Sequence, residues 1–507
     1  MSSLLERYSN KIAGVISCFD RIVLQGTLPG FSYAEGMTRY LYINQIRIFD
    51  YPDWANALRE QLRTNAEKLA NEHGVQIEFI AKASIRKEAR IAEVLKARGD
   101  HPGLVHILSV MEACPAYKPW HNKETGKTYL RPDSGKCLHY YFYFIDEQLG
   151  LCYFRLPTWA PFRLQVYFNG HNLLASKLTQ HGIDFKLLDN AFIALSDFEA
   201  AQTLSDDIDM PRLHAKLDQY ARLCCPIIEA LGQTYHWSQM QSEYATDIIF
   251  KSTEELRPIY ENLSRTAIHT VKPEKVASFL GKKLNARYEG ELGTHFSTRI
   301  EGTCIKHHMG PVSLKMYDKF GYVLRIETTV NDPSFFTHYR EVEQKNGPPV
   351  HKQAPMKKTI YSLPILGTLC DKVNRRYLAF ISELDDPSAG SRELQKLSEP
   401  KEENGRTYTG FNFFCAPDQT LFETIARGEF NIAGLRNKDL RARLPELSAG
   451  QVSRRLRRLR VFGLIKRAGR TYRYYLTNLG RRVVLTGLKL KEFFLKPALS
   501  AAVPEGG

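Results

Sequence analysis

Ile300–Asp332 reads IEGTCIKHHMGPVSLKMYDKFGYVLRIETTVND, and its alternation of apolar and polar residues decides the fold class. Neighbours along a strand point to opposite sides of a sheet. Leu314, Met316, Leu324 and Ile326 therefore fall on one face, which is expected to be core. Lys315, Tyr317, Arg325 and Glu327 fall on the other, with Lys306 and His308 expected beside them. Gly310-Pro311 and Lys319-Phe320-Gly321 supply the turns. The reading is an antiparallel β-meander over 296–330.

The segments around the meander mix helical and strand periodicity, so the fold class is α+β. Helices are expected at Trp54–His73, Ser84–Arg98, Phe162–Gln180, Met210–Leu231 and Leu363–Leu384, and Ser238–Phe250, if helical, would put Glu243 and Asp247 on one face. A strand is expected at Val75–Ile80 and a hairpin over Cys137–Phe154. The expected organisation is an α+β region over 1–230 and a second over 231–384 that holds the meander. A polar linker at 385–410, a basic module at 411–496 and a frayed tail at 497–507 complete it.

Composition narrows the class. The 507 residues are 43% hydrophobic and 25% charged, as in ordinary globular proteins. No apolar run approaches the roughly 20 residues of a membrane span, and Met1–Arg7 lacks signal-peptide order. No membrane partner and a bacterial cytoplasmic, nucleoid-associated location are the expectations. The nine cysteines are scattered without a Cys-x-x-Cys pair, so a zinc ribbon is unsupported and reduced buried thiols are expected. No G-x-x-x-x-G-K-[ST] loop occurs, and no nucleotide cofactor is indicated.

The net charge of +15 is unevenly spread. Asn431–Leu490 holds sixteen Lys and Arg against two acids, Asp439 and Glu446, while the rest of the chain is close to neutral. A basic module on a balanced body suits a dedicated polyanion-binding element. In that segment Asn437 is expected to cap a short helix and Ser448 a longer one from Ala449 to Val461. Val452, Leu456 and Leu459 line one side of the longer helix. Gln451, Ser453, Arg454, Arg455, Arg457 and Arg458 lie outside that stripe. A hairpin carrying Lys466, Arg467, Arg470 and Arg473 follows, and Thr477 caps a last helix.

This pattern, seen in GQVSRRLRRLRVFGLIKRAGRTYRYYLTNLG (450–480), resembles MarR-type winged helix-turn-helix domains. The resemblance implies double-stranded DNA as partner. The arginine-rich helix would enter the major groove and the hairpin cations would lie along phosphates. Loss of affinity is then expected when Arg454, Arg455 and Arg458 become Ala. A solvated basic helix, or a winged helix that binds RNA or protein, is the alternative.

The meander's polar face has its own chemistry. Tyrosine can attack phosphorus, a carboxylate can hold a divalent metal, and cations can stabilise transition-state charge. The pattern SLKMYDK…YVLRIE also resembles the R-x-Y-x-K…R-x-E strand pair of rolling-circle replication initiators. That resemblance implies a nicking-joining endonuclease. Tyr317 would be the nucleophile, Glu327 the metal ligand or base, and Lys315 and Arg325 phosphate ligands, with His308 a further candidate catalytic residue. Mg2+ or Mn2+ would be the cofactor and single-stranded DNA a further partner. The His-hydrophobic-His metal motif of many such nickases is absent, since His307 and His308 are adjacent.

The whole chain is similar to a multicopy bacterial family that behaves like a mobile element, which implies a transposase-like or replication-initiator-like role. The alternative is a non-enzymatic winged-helix regulator whose large body senses a ligand or forms a homodimer. An ordinary cross-strand ion cluster at Tyr317, Arg325 and Glu327 is the plain alternative for the site. Asp20, in an apolar strand, is a candidate carboxylate with Glu112, Glu243 and Asp247 as partners, or simply an ion-pair partner of Arg21. His139, Tyr141 and Tyr143 share one strand face that is expected to pack under a helix.

Overall fold

The computed structural model describes residues 2–82, 84–282, 290–299, 302–345, 347–384, 396–469 and 471–495. Ile300, Arg470, the 385–395 part of the expected linker and the 497–507 tail lie outside the described residues. Helices and a large mixed sheet make an α+β fold. Among the described residues no helix is long and apolar enough to cross a membrane.

In chain order the first strands are β1 (Ile12–Thr27), β2 (Ile77–Phe79), β3 (Gly103–His121), β4 (Thr128–Asp146) and β5 (Gly150–Pro157). Then come β6 (Leu164–Asn169), β7 (Phe185–Leu188), β8 (Ala191–Leu195) and β9 (His236–Phe250). The meander region supplies β10 (Leu292–Arg299), β11 (Gly302–Met309), β12 (Val312–Lys319) and β13 (Val323–Val330). Short or peripheral pairs follow: β14 (Thr337–Gln344) with β15 (Gly347–Pro355), and β16 (Lys401–Glu403) with β17 (Arg406–Tyr408). The last pair is β18 (Ile465–Arg467) with β19 (Tyr474–Leu476).

The chain forms two compact units, each discontinuous in sequence. One comprises 13–253 and 311–372 and is built on strands in the order β12-β13-β9-β1-β6-β5-β4-β3-β2. Every residue of β13 is buried, its polar positions included. The meander's polar side is therefore interior, covered by helix Gly170–Gln180 and the β7–β8 hairpin, through contacts from His171 and Asn190.

Two sequence expectations change here. Ser238–Phe250, considered as a helix, is part of the central strand β9, whose last seven residues are all buried. A strand enclosed on both faces loses the polar alternation that would reveal it. Phe162–Gln180 divides into β6 and a helix starting at Gly170, where Asn169 caps the helix by accepting from His171 N at 2.7 Å. Gly170 lies against the Phe19 backbone with no room for a Cβ.

The other unit comprises 1–12, 254–310 and 373–507. Its C-terminal part packs helices Ala416–Ile425, Gly428–Ala433, Asn437–Arg443, Ala449–Val461 and Asn478–Lys489 with the β18–β19 hairpin. The expected apolar stripe, Val452, Leu456 and Leu459, lies in one core with Phe411, Phe422, Leu440 and Leu464. Ser448 caps as expected: its hydroxyl accepts from Gln451 N, and the Gln451 side chain accepts in return from Ser448 N at 2.7 Å. Thr477 accepts from Gly480 N at 2.9 Å. Asn437 is not the cap. It sits in the first turn and donates to Ser453 Oγ, while Asp439 accepts from Arg436 N.

Candidate active site

The polar face is assembled by register. On β12 and β13, Lys315 stands opposite Glu327 and Tyr317 opposite Arg325. On β13 and β9, Arg325 stands opposite Asp247 and Thr329 opposite Glu243. Because directly paired residues share a face, these side chains converge. Glu243 and Asp247 meet on one face by strand period two rather than by helix spacing.

Two linked groups result. In the first, the Tyr317 hydroxyl donates to Glu327 Oε2 at 2.6 Å, and Lys315 Nζ donates to Glu327 Oε1 at 2.5 Å and Glu243 Oε1 at 3.2 Å. Thr329 Oγ1 also donates to Glu243, at 3.2 Å. Burial pushes the Tyr317 hydroxyl well above the ordinary tyrosine value, and the Glu327 charge adds to it. Glu243 is raised by burial and by Glu327. Burial alone would depress Lys315, but the charges of Glu327 and Glu243 outweigh it and hold the ammonium form.

In the second group, Arg325 is fully buried and grips Asp247 with two bonds of 2.7 Å, from Nε and Nη2. Nη2 also donates to Asn190 O at 2.5 Å and meets His171 Nε2 at 3.1 Å. Asp20 lies 3.0 Å from His171 Nδ1 and 3.4 Å from Arg325 Nη1, and accepts from Asn190 Nδ2 at 2.6 Å. Burial would raise both aspartates, yet both are held low: Asp20 by nearby His171 and the Arg325 charge, Asp247 by Arg325 and His171. His171 is driven well above its ordinary value: burial opposes this, and Cys18, Asp20 and Asp247 outweigh it. The expected Asp20–Arg21 pair does not form. Consecutive strand residues face opposite ways, and Arg21 lies over the Tyr167 ring at 5.1 Å instead.

Asp20, Glu243 and Glu327 each bring one carboxylate oxygen into a set whose members lie within 4.8 Å of one another. Three hard oxygen donors suit Mg2+ or Mn2+. Around Asp20, Arg325 Nη1, His171 Nδ1 and Asn190 Oδ1 are buried without an aligned hydrogen-bond partner. Asp20, Glu243 and Glu327 would supply the oxygen donors for such an ion, and in the structure Lys315 is the cation placed against Glu243 and Glu327. Sequence reading named Glu327 as the metal ligand. Glu243 and Asp247 are among the partners the sequence offers Asp20, though no spacing rule joins them, and nothing in the sequence singles out His171.

Other candidates stand elsewhere. His308 is on β11 in the other unit, stacked on His295 with ring centroids 4.8 Å apart. Its neighbour His307 is buried between Thr294 and Tyr377, and burial lowers it to about 4. Glu112 pairs with Arg155 at 2.7 Å, Lys87 at 2.9 Å and the Tyr141 hydroxyl. Tyr141 and Tyr143 pack against Ile91 of helix Lys87–Arg98, as expected.

The basic helix Ala449–Val461 divides its arginines. Arg454 and Arg457 are exposed, as are Gln451 and Ser453. Arg455 donates to Pro417 O at 3.1 Å. Arg458, expected on the free surface, is bound inward. It makes two bonds to Asp418 at 2.7 and 2.9 Å, donates to Thr409 O and Gly410 O, and covers the Phe411 ring at 4.0 Å. Arg458 lies about 100° around the helix from Leu459, on the side that meets Asp418. In the hairpin Lys466 and Arg467 are exposed, with Arg467 over Tyr472, and Arg473 donates to Ala433 O. An Arg458→Ala protein is expected to lose about 3 kcal/mol in its C-terminal part, because Asp418 is left buried without its partner. Arg454→Ala and Arg457→Ala are expected to stay within about 0.5 kcal/mol of the parent. Denaturant melts of the three variants check this.

No family model matches the chain, and no curated protein is similar to it. Among solved structures, the rolling circle replication initiator protein from Geobacillus stearothermophilus is similar at a TM-score of 0.20 and 9% identity. The match covers 63% of this chain and 75% of that one. A likeness of that size carries no argument about chemistry.

Proposed function

We propose that this is a DNA-processing protein of the mobile-element type. In this reading the 13–253/311–372 unit nicks and rejoins a strand, and the C-terminal helices act as a winged helix-turn-helix that selects the site. The observation that carries it is the Tyr317 hydroxyl held 2.6 Å from Glu327 among three converging carboxylates and Lys315. A hydroxyl beside a carboxylate base, with an ammonium at hand, is the arrangement that phosphoryl transfer to tyrosine needs.

Tyr317 Oη forms the new bond to phosphorus, Glu327 takes the hydroxyl proton, and the sugar oxygen leaves carrying the electron pair. Lys315 offsets the charge that gathers on the phosphoryl oxygens. Asp20, Glu243 and Glu327 would hold Mg2+ or Mn2+, which supplies Lewis-acid stabilisation. Arg325, spent on Asp247, acts as a positioning residue that fixes β13 against β9. Incubation with supercoiled plasmid and Mg2+ or Mn2+ is expected to yield open circles and a protein–DNA adduct that survives SDS. Intact supercoils with both metals would overturn the reading.

The burial of Tyr317, 7% exposed, favours a second reading. There the cluster is a polar core, and the chain is a DNA-binding regulator without catalysis. Both readings share the DNA-binding module. In either, replacing Arg454 and Arg457 together by Ala is expected to weaken duplex binding and to flatten its log–log salt slope by about 1 for each phosphate no longer neutralised. A slope unchanged from the parent protein would count against that role.

A further inference from the structure

The distal part of the β3–β4 hairpin projects a basic, aromatic surface that the proposed nicking site does not use. Its register pairs Tyr117 with Pro132 and Pro119 with Leu130 on one side of the ribbon. That side is anchored. Tyr117 and Leu130 are buried, the Tyr117 hydroxyl donates to Phe31 O at 2.5 Å, and Leu130 N donates to Thr38 Oγ1 at 3.0 Å. The opposite side pairs Trp120 with Tyr129, Lys118 with Arg131 and Ala116 with Asp133. It faces outward: Trp120, Lys118, Arg131 and Asp133 are exposed, and of the four tryptophans Trp120 is the exposed one, at 42%.

Trp120 thus stands partly in solvent on an anchored ribbon, where its ring can meet a partner. Here it is also preorganised. The Arg131 guanidinium lies over the Trp120 ring at 4.5 Å, which fixes both side chains. The tip is held by Asn122, whose Oδ1 accepts from Glu124 N at 2.9 Å and Thr125 N at 3.2 Å, and whose N donates to Lys127 O at 2.8 Å. Between Pro115 and Lys136 five cations, Lys118, Lys123, Lys127, Arg131 and Lys136, outweigh two acids, Glu124 and Asp133. At the base of the ribbon Cys114 and Gly135 border a cleft of about 830 Å³ that Arg63, Lys136 and Trp159 also line.

We infer that this ribbon is a binding surface for single-stranded nucleic acid, the strand opened at the nick. Trp120 and Tyr129 would stack bases, and Lys118 and Arg131 would follow the phosphates. Stacking needs an exposed ring face and cations spaced along a groove, and it tolerates any base sequence. A duplex hides its base faces and cannot use the indole in this way. The inference rests on the reading that DNA is the substrate, and the experiment separates the two.

The full chain, in EDTA so that no strand is cut, is titrated with a dT oligonucleotide of about 12 nucleotides and with a duplex of equal length, reading tryptophan emission and anisotropy. The oligonucleotide is expected to quench emission. Trp120→Ala is expected to abolish most of the quench and to weaken oligonucleotide binding at least about tenfold, while duplex affinity is unchanged. Trp120→Phe should retain most of the affinity, which a merely structural tryptophan would not require. If Trp120→Ala binds the oligonucleotide as the parent does while the duplex still binds, the ribbon assignment is overturned and the DNA reading survives. If neither nucleic acid binds, both are overturned.

Discussion

A Tyr317→Phe protein is expected to leave supercoiled DNA intact, and to form no SDS-resistant adduct, while binding duplex as tightly as the parent. Removing a nucleophile costs far more than removing a helper group, so the nicking rate should fall at least about a thousandfold. The change deletes one oxygen and leaves the ring packing in place. Its structural cost is the bond to Glu327 Oε2, about 1–3 kcal/mol because the acceptor is buried. The protein should therefore remain folded at ordinary temperature, and circular dichroism with a melting curve checks that. Glu327→Gln should give a similar loss of rate, since an amide cannot accept the phenolic proton. Residual nicking by Tyr317→Phe at the parent rate would remove Tyr317 from the chemistry. Loss of folding without any nicking by the parent would instead support the polar-core reading.

The second large effect belongs to Arg325. Arg325→Met is expected to destabilise the unit by about 3–5 kcal/mol, because Asp247 and Asp20 would lose the Arg325 charge and share the single charge of His171. At about 2–4 °C per kcal/mol for a domain of this order of size, the melting temperature should fall by roughly 10 °C. Arg325→Lys should rescue little. One ammonium cannot reproduce the two parallel bonds that Nε and Nη2 make to Asp247. Replacing Asp247 by Leu in the Arg325→Met protein should recover part of the loss, since the orphaned charge goes with it. A melting temperature unchanged by Arg325→Met would show that the fork carries no stability.

The same network sets a pH dependence with a definite sign. Asp20 and Asp247 titrate below their unfolded value, so their contribution is complete above about pH 4 and lost as pH falls through the folded values. His171 is raised, so its contribution is complete below about pH 6.5 and lost as pH rises through its folded value. The stability gap between parent and Arg325→Met should therefore narrow in acid, where the orphaned aspartates take up protons. Urea melts at several pH values read this directly.

Much was determined by the sequence alone. Alternation over 312–330 assigned Lys315, Tyr317, Arg325 and Glu327 to one face and Leu314, Met316, Leu324 and Ile326 to the other. Ser448 and Thr477 announced two helix starts, and the helix Leu363–Leu384 has the expected bounds. These are local properties: period and capping depend on residues a few positions apart. Only the tertiary structure decided that the polar face is interior, and that Asp20 and His171 arrive at it from β1 and from the helix after β6. It alone made β9 a strand, committed Arg458 to Asp418, and chose which side of the β3–β4 ribbon meets solvent. Each of these rests on burial and pairing across long stretches of chain. Burial is set by what the rest of the fold lays over a residue, and no local pattern of spacing records that.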